Sequence, residues 1–284
     1  MKATLTENQP GGLARARARR VLPGFGLTLG VTLGYLGLLV LLPLAALFLK
    51  ASGMSWEEFT KAATNERALA SYRVTFGSAL MAAGVNAVMG TWMAWVLVRY
   101  RFPGRRLLDA LVDFPFALPT AVGGLTLANL FAAKGWLGRW LEPMGLKVAY
   151  APAGIVVALV FIGLPFVVRS LQPVLEDIDR EVEEAAATLG AGRLRTFAQV
   201  IFPVLLPSIL TGFSLALARA IGEYGSVIFI APKRSEIASQ LIWYRLEEYD
   251  YAGAMAIAVV MLAASFVLLA GVNMAERWAS RFQR

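Results

Sequence analysis

Six long apolar runs dominate the chain. They cover about 22–49, 71–98, 107–133, 151–173, 198–231 and 252–274, each at or above the ~20 residues a helix needs to cross ~30 Å of hydrocarbon. The runs do not alternate apolar with polar positions, so they predict helices rather than the strands of a membrane barrel. The first is too long for a signal-peptide core, no small-residue cleavage site follows it, and it reads as a retained helix. Within it Gly26, Gly30 and Gly34 recur every four residues. That spacing either lets another helix approach closely or reflects the glycine enrichment of membrane helices. After it, Ser55-Trp56-Glu57-Glu58 has the form of a capping box. It predicts a short amphipathic helix carrying Trp56 and Phe59 at the membrane interface.

Composition narrows the class. Of 284 residues only 16% are charged while 58% are aliphatic, aromatic or otherwise hydrophobic, against about 25% charged in a soluble domain. The net charge of +8 sits beside apolar runs, which suggests a membrane surface rather than nucleic acid. Cysteine and histidine are absent. That excludes disulfides, the usual zinc sites and thiolate or histidine-based catalysis. No Gly-x-x-x-x-Gly-Lys-Ser/Thr phosphate loop occurs, so the chain is not expected to bind ATP in the usual way. A membrane protease using a desolvated Lys base is disfavoured because no Lys falls within a run. No catalytic residue, metal site or cofactor is expected.

Six spans put both termini on one side. That side holds Lys2, Arg15, Arg17, Arg19 and Arg20, then Arg99, Arg101, Arg105 and Arg106, then Arg169, Arg180, Arg193 and Arg195, then Arg277, Arg281 and Arg284. Fewer basic residues lie opposite, and positive charge stays cytoplasmic. Both termini are therefore expected in the cytoplasm of a bacterium, with segments 50–70, 134–150 and 232–251 facing outward.

The loop at about 176–203 is the most informative stretch. It reads Glu181-Val182-Glu183-Glu184-Ala185-Ala186-Ala187-Thr188-Leu189-Gly190. Asp177 or Asp179 can cap its start, acidic residues fill the first turn, and Gly190 can end it in the left-handed conformation. Val182, Ala185, Ala186 and Leu189 share one face. A second helix begins near Arg193 and runs through Phe197, Val200 and Ile201 to Pro203. A helix hairpin that docks on a partner and a solvated connecting helix are both compatible with this periodicity.

Glu184-Ala185-Ala186, then Gly190, then Val200-Ile201-Phe202-Pro203 resembles the signature of binding-protein-dependent ABC importer permeases: E-A-A, three residues, G, nine residues, I-x-L-P. Val200 and Phe202 are conservative departures from it. Ala117-Leu118-Pro119-Thr120-Ala121-Val122, Gly163-Leu164-Pro165-Phe166-Val167-Val168-Arg169 and Arg219-Ala220-Ile221-Gly222-Glu223-Tyr224-Gly225 resemble segments of sulfate and molybdate permeases. The stretches 222–230, 236–238 and 248–254 are closer to the T-type permeases of sulfate/thiosulfate importers. The likeness covers about residues 25–275.

This resemblance implies an all-α integral membrane protein of the type I ABC importer permease (MetI-like) fold. It implies a basic tail at 1–21, a permease domain at 22–284 with its core at about 70–275, and a coupling helix from Glu184 to Gly190 that sits in an ATPase groove. The implied partners are two ATPase subunits, a second permease subunit of W-type, an extracytoplasmic sulfate-binding protein and lipid, with no nucleic acid. The cargo is sulfate or thiosulfate, with molybdate or tungstate as the alternative; a passive channel would have no need of a docking helix. A dianion path needs hydroxyls, amide N–H groups and few fixed cations. Pro115 and Pro119 precede Thr120, Gly123 and Gly124, where a broken helix can either aim an N-terminus at an anion or form a packing kink. Arg219 and Glu223 lie four apart and share a helix face, as a neutral structural pair near the pore or as a gate. Asn86 and Ser78 are weaker candidates, since polar residues in spans more often link helices.

Overall fold

The computed structural model describes residues 25–232 and 236–280, and every regular element among them is helical. The basic tail at 1–21, with Lys2, Arg15, Arg17, Arg19 and Arg20, lies outside the described residues, as do Arg281 and Arg284. The chain divides into one unit up to Leu49 and another from Lys50. Helix α1 (Phe25–Ser52) holds a π turn at Gly37–Leu41. None of its residues is buried before Ala51, and nothing lies within 4 Å of where a Cβ would stand on Gly26, Gly30 or Gly34.

The second unit opens with α2 (Trp56–Ala63). Its capping box is formed: Ser55 Oγ accepts from the Glu58 N–H at 3.2 Å, and Glu58 Oε2 accepts from the Ser55 N–H at 3.0 Å. The Ser55 N–H holds the Glu58 carboxyl below its usual range. The cap is therefore complete at neutral pH and weakens in acid, as the carboxylate protonates. Trp56 is exposed and stacks on Phe59 at 6.0 Å. Asn65 then caps α3 (Glu66–Arg99), its side chain accepting from the Ala68 N–H at 2.9 Å.

The run expected as one span over 107–133 is three pieces: α4 (Arg105–Val112), α5 (Phe114–Ala117) and α6 (Thr120–Phe131). Pro119 lacks an N–H and pushes Leu118 into extended backbone (φ −93°, ψ 139°), which stops a helix there. Next come α7 (Gly138–Leu141), α8 (Pro152–Asp177) and α9 (Arg180–Thr188). Helix α10 (Arg193–Ile221) contains a π turn at Phe197–Ile201. The helix expected to end at Pro203 therefore continues through it. The turn lies where Pro203 removes a donor, and a wider turn accommodates that loss. The fifth run, expected to reach 231, ends at Ile221. After a break come α11 (Val227–Ile230), α12 (Ala238–Glu247) and α13 (Tyr251–Ser280). Among the described residues five helices, α1, α3, α8, α10 and α13, are long and apolar enough to cross a membrane.

Helix α8 is the centre of the second unit, packed against both α3 and α10. Apolar burial gives helices little reason to associate within lipid, so close van der Waals contact must hold them. Small residues provide it. Ala68, Ala79, Ala82, Ala83 and Ala94 line the buried face of α3. A Cβ on Gly90 would stand 2.8 Å from Val167 Cγ1, and one on Gly212 would stand 2.8 Å from Val167 Cα. Val167 is thus gripped from two sides by backbone with no side chain between.

Polar contacts mark the two ends of this slab. At one end Arg67 pairs with Glu236 through two 2.9 Å hydrogen bonds, and the Tyr150 N–H donates to the Ile230 carbonyl. At the other, Arg99 Nη2 donates to the Ile178 carbonyl at 3.0 Å and lies 3.0 Å from Glu183 Oε1.

Gly212→Ala is expected to destabilise the folded chain by about 1–3 kcal/mol, because the new methyl meets backbone that cannot rotate away. Gly77→Ala makes the same change where nothing lies within 4 Å, and should change stability by under ~1 kcal/mol, in the stabilising direction. Thermal unfolding of both variants in one detergent checks the contrast.

Candidate functional site

Two breaks in the helices meet each other. One is the Leu118–Pro119 step before α6; the other is Gly222–Ser226, between α10 and α11. A Cβ on Gly124 would lie 2.1 Å from the Ser226 carbonyl oxygen, and one on Gly225 would lie 2.5 Å from Thr120 Oγ1. The first turns of α6 thus rest directly on the backbone of the second break. Of the expected path residues, Thr120 and Gly124 belong to this contact. Gly123 faces α8 instead, with its Cβ position 3.3 Å from the Phe161 ring.

Arg219 and Glu223 also meet here. They form an i,i+4 ion pair of 2.5 Å across the end of α10, with side chains 33% and 2% exposed. Glu223 Oε1 accepts the Ser226 N–H at 2.8 Å, and the Glu223 carbonyl accepts from Ser239 Oγ at 2.9 Å. The buried carboxylate therefore has a cation on one oxygen and a backbone donor on the other. It satisfies an N–H that the break has freed, as any buried amide requires. Ser226 Oγ is fully buried and has no hydrogen-bond partner. Reading the sequence singled out its neighbours and missed this hydroxyl. Nothing in the residue pattern separates it from an ordinary cap.

The weaker candidates differ from each other. Ser78 Oγ donates to carbonyls of its own helix, to Val74 at 2.5 Å. Asn86 is fully buried where α3, α8 and α10 cross, and neither Oδ1 nor Nδ2 has a partner. A Cβ on Gly163 would lie 2.4 Å from Asn86 Nδ2. The amide needs that glycine to fit.

The 176–203 loop is a helix hairpin. Asp179 occupies the N-cap position of α9 without a side-chain capping bond, and Gly190 (φ +82°) terminates the helix in the left-handed region. The face expected to be apolar is mostly uncovered. Ala186 is buried, whereas Val182 and Ala185 are exposed, Leu189 is 89% exposed and Leu194 82%. Glu184 is exposed and lines a groove of about 1310 Å³ with Trp92, Trp95, Phe197 and Phe202. Pro203 lies on an exposed position of α10 two residues past the π turn. The Arg99–Glu183 pair braces the hairpin against the end of α3.

A third cluster escaped the sequence reading. Arg169 sits within α8 and clamps the broken third segment. Its Nε and Nη2 donate to the two Asp113 carboxylate oxygens at 2.8 and 2.6 Å. Its Nη1 donates to Asp109 Oδ1 at 2.8 Å, and Nη2 also reaches the Asp109 carbonyl at 2.9 Å. Gln172 Nε2 donates to Asp109 Oδ1 at 2.9 Å. The separations of 56 and 60 residues leave no local trace of the pairing.

The family described as the binding-protein-dependent transport system inner membrane component matches residues 86–281. The chain is 51% identical over 270 residues to the sulfate transport system permease protein CysT of Escherichia coli (strain K12), covering 94% of this chain and 96% of that one. It is 50% identical over 255 residues to the protein of the same name from Synechocystis sp. (strain ATCC 27184 / PCC 6803 / Kazusa), covering 89% of each. Among solved structures, a bacterial ABC transporter importing the acidic polysaccharide alginate superposes with a TM-score of 0.71 at 14% identity, over 89% of this chain and 94% of that one. The inward-facing MetNI methionine ABC transporter superposes with a TM-score of 0.53 at 17% identity, over 76% and 99%. Both likenesses concern the fold.

Arg219→Ala leaves Glu223 buried beside one backbone donor and is expected to cost about 3 kcal/mol. The Arg219→Ala/Glu223→Ala double variant should recover a large part of that. Comparing the thermal midpoints of the two variants tests the pairing.

Proposed function

The chain belongs to the family of binding-protein-dependent transport system inner membrane components, and on that premise we propose that it is the T-type permease subunit of an ATP-driven sulfate/thiosulfate importer. It is a transport subunit of the inner membrane rather than an enzyme. The observation that carries the cargo is the identity of about half its residues, over nearly the full chain, with permeases of sulfate transport systems. No feature of the chain favours molybdate over sulfate.

In this reading residues 22–284 act as one permease domain. The third segment crosses the membrane as the broken helix α4–α5–α6, which restores the sixth crossing and puts both termini in the cytoplasm. Helix α9 is the coupling helix. Glu184, Ala185 and Gly190 face an ATPase subunit, with Ala186 packed beneath them and Pro203 on the following helix, and the exposed Leu189 and Leu194 supply the apolar area of contact. Two ATPases, a W-type second permease and an extracytoplasmic sulfate-binding protein complete the assembly. ATP is bound and hydrolysed on the ATPases. This chain converts their closure into motion of the hairpin, and α10 carries that motion to the break at Gly222.

The path for the dianion runs past the two meeting breaks. Thr120, Gly124 and the Arg219–Glu223 pair line it, joined by the free Ser226 hydroxyl, while Gly123 lets the same helix pack on α8. The ion pair is neutral overall, so the path offers hydroxyls and backbone dipoles rather than a fixed charge that would trap the ion.

Cells relying on this chain should take up labelled sulfate and lose that uptake on its deletion, with molybdate uptake unchanged; the reverse pattern contradicts the assignment. Replacing Glu184 by Arg, or Gly190 by Val, should cut uptake at least ~10-fold while the chain still inserts, read by uptake beside immunoblot of membranes. In this cysteine-free chain, Thr60→Cys should react with impermeant maleimide from outside and Thr188→Cys only after the membrane is opened.

A further inference from the structure

Arg169 is a cation inside a membrane-crossing helix, and the transport reading leaves it without a task. It lies eight residues before Asp177, where α8 ends at the hairpin, and so about 12 Å inside that end. Arg169 and its partners Asp109 and Asp113 are all partly exposed. Charges at such a depth face the interior of a bundle or a watery cavity rather than lipid. This face of α8 and α4 is therefore turned away from the acyl chains.

The clamp takes up bonds that would otherwise be local. Asp113 occupies the N-cap position of α5 but makes no side-chain capping bond. An aspartate there ordinarily accepts an N–H of its own helix; here both oxygens go to Arg169. One turn earlier, Arg169 also holds the carboxylate and the carbonyl of Asp109, and Gln172 donates to the same carboxylate. One guanidinium thus spans the joint between α4 and α5. Its planar fork fixes orientation as well as distance.

What the clamp fixes lies seven residues beyond Asp113. Helix α5 is a single turn, seated on α8 by buried Pro115 and by Phe116, whose ring meets Phe166 edge-on with centroids 5.1 Å apart. Leu118 is extended, and the ring of Pro119 sets its own φ. The Pro119 carbonyl accepts the N–H groups of Val122 and Gly123 at 2.9 and 3.1 Å, which joins this step to the first turn of α6. Little freedom is left between the clamp and Thr120. Thr120 is therefore located from two sides, upstream by Arg169 and downstream by its contact with Gly225.

We propose that Arg169 is a positioning residue of the transport path. It acts through Asp113 and the stiff stretch 114–119, and it sets where Thr120 stands against the second break. This rests on the reading that places Thr120 on the path.

The test uses the full chain in its assembled transporter, in native membranes. Because the chain has no cysteine, Thr120→Cys and Thr75→Cys each supply a single thiol. Thr75 is buried on α3 and accepts the Ala238 N–H, so it reports on the slab as a whole. R169Q should raise the rate of maleimide labelling at Thr120→Cys by ~10-fold and leave the rate at Thr75→Cys unchanged. Without either cysteine, R169Q should lower the maximal rate of labelled-sulfate uptake by ~10-fold, with the half-saturating concentration and the amount of inserted chain unchanged. R169K keeps the charge, loses the fork, and should restore part of both. D113N should act in the same direction, and R169Q/D113N should be no worse than R169Q alone. An unchanged labelling rate at Thr120→Cys in R169Q overturns the inference. An equal rise at Thr75→Cys also overturns it, by showing a general loosening of the fold, and additive effects of R169Q and D113N overturn the route through Asp113. A rise at Thr120→Cys alone, with uptake unaffected, would uphold the tether and overturn the placing of Thr120 on the path.

Discussion

Inside hydrocarbon no water is at hand to satisfy a backbone that leaves the helix, so every broken helix must find its partners within the protein. This chain breaks at Leu118–Pro119 and again at Gly222–Ser226, and it sets the two breaks against each other. Glycine at 124 and at 225 lets the backbones touch. Glu223 turns back to take the Ser226 N–H and is held in place by Arg219. A single methyl on Gly124 would collide with a carbonyl group. The contact therefore depends on residues with almost no chemistry of their own, and the charged pair serves a junction that those residues make possible.

The same constraint explains the asymmetry between the slab and its hairpin. Helices α3, α8 and α10 close on one another through Gly90, Gly163 and Gly212, and their buried faces carry alanine, serine and threonine beside the leucines. Such packing is dense and short-ranged. At the hairpin, by contrast, Leu189 and Leu194 stand almost fully exposed beyond the last turn of packed helix. In the proposed assembly their exposure is that of a surface which another subunit covers.

Legibility in the sequence followed the range of the interactions. The capping box at Ser55 and Glu58, the left-handed stop at Gly190 and the interruption at Pro119 are all made within four residues, and all can be read from spacing. The apolar runs placed α1, α3, α8 and α13 for the same reason. The division of the third run at Asp113 coincides with Pro115 in the next turn, a local signal, whereas the clamp of Arg169 on Asp113 left no trace in the spacing. The apolar run from 198 carried α10 through Pro203, where a π turn keeps the helix going, but its end at Ile221 rather than 231 was not legible. Ser226 was hidden in a different way. Its sequence neighbourhood is ordinary, and only its burial without a partner distinguishes it.

One helix joins the hairpin to the meeting breaks, the two places that the proposed function uses. Helix α10 begins at Arg193, in the hairpin, and ends at Ile221, beside the ion pair. At 1.5 Å per residue its 29 residues span about 43 Å. Most of that length is gripped by α8, so a displacement at the hairpin cannot dissipate by bending in the middle. The π turn at Phe197–Ile201 and the break at Gly222 are where its geometry departs from a regular α-helix. A load applied at Leu189 and Leu194 would be passed along the rigid section and felt where Glu223 holds the Ser226 N–H. In the proposed mechanism, shifting that end by about 1–2 Å would part the Glu223 carboxylate from the Ser226 N–H and free that donor for an incoming anion. In the proposed path the neutral pair suits weak binding, because its two charges answer each other.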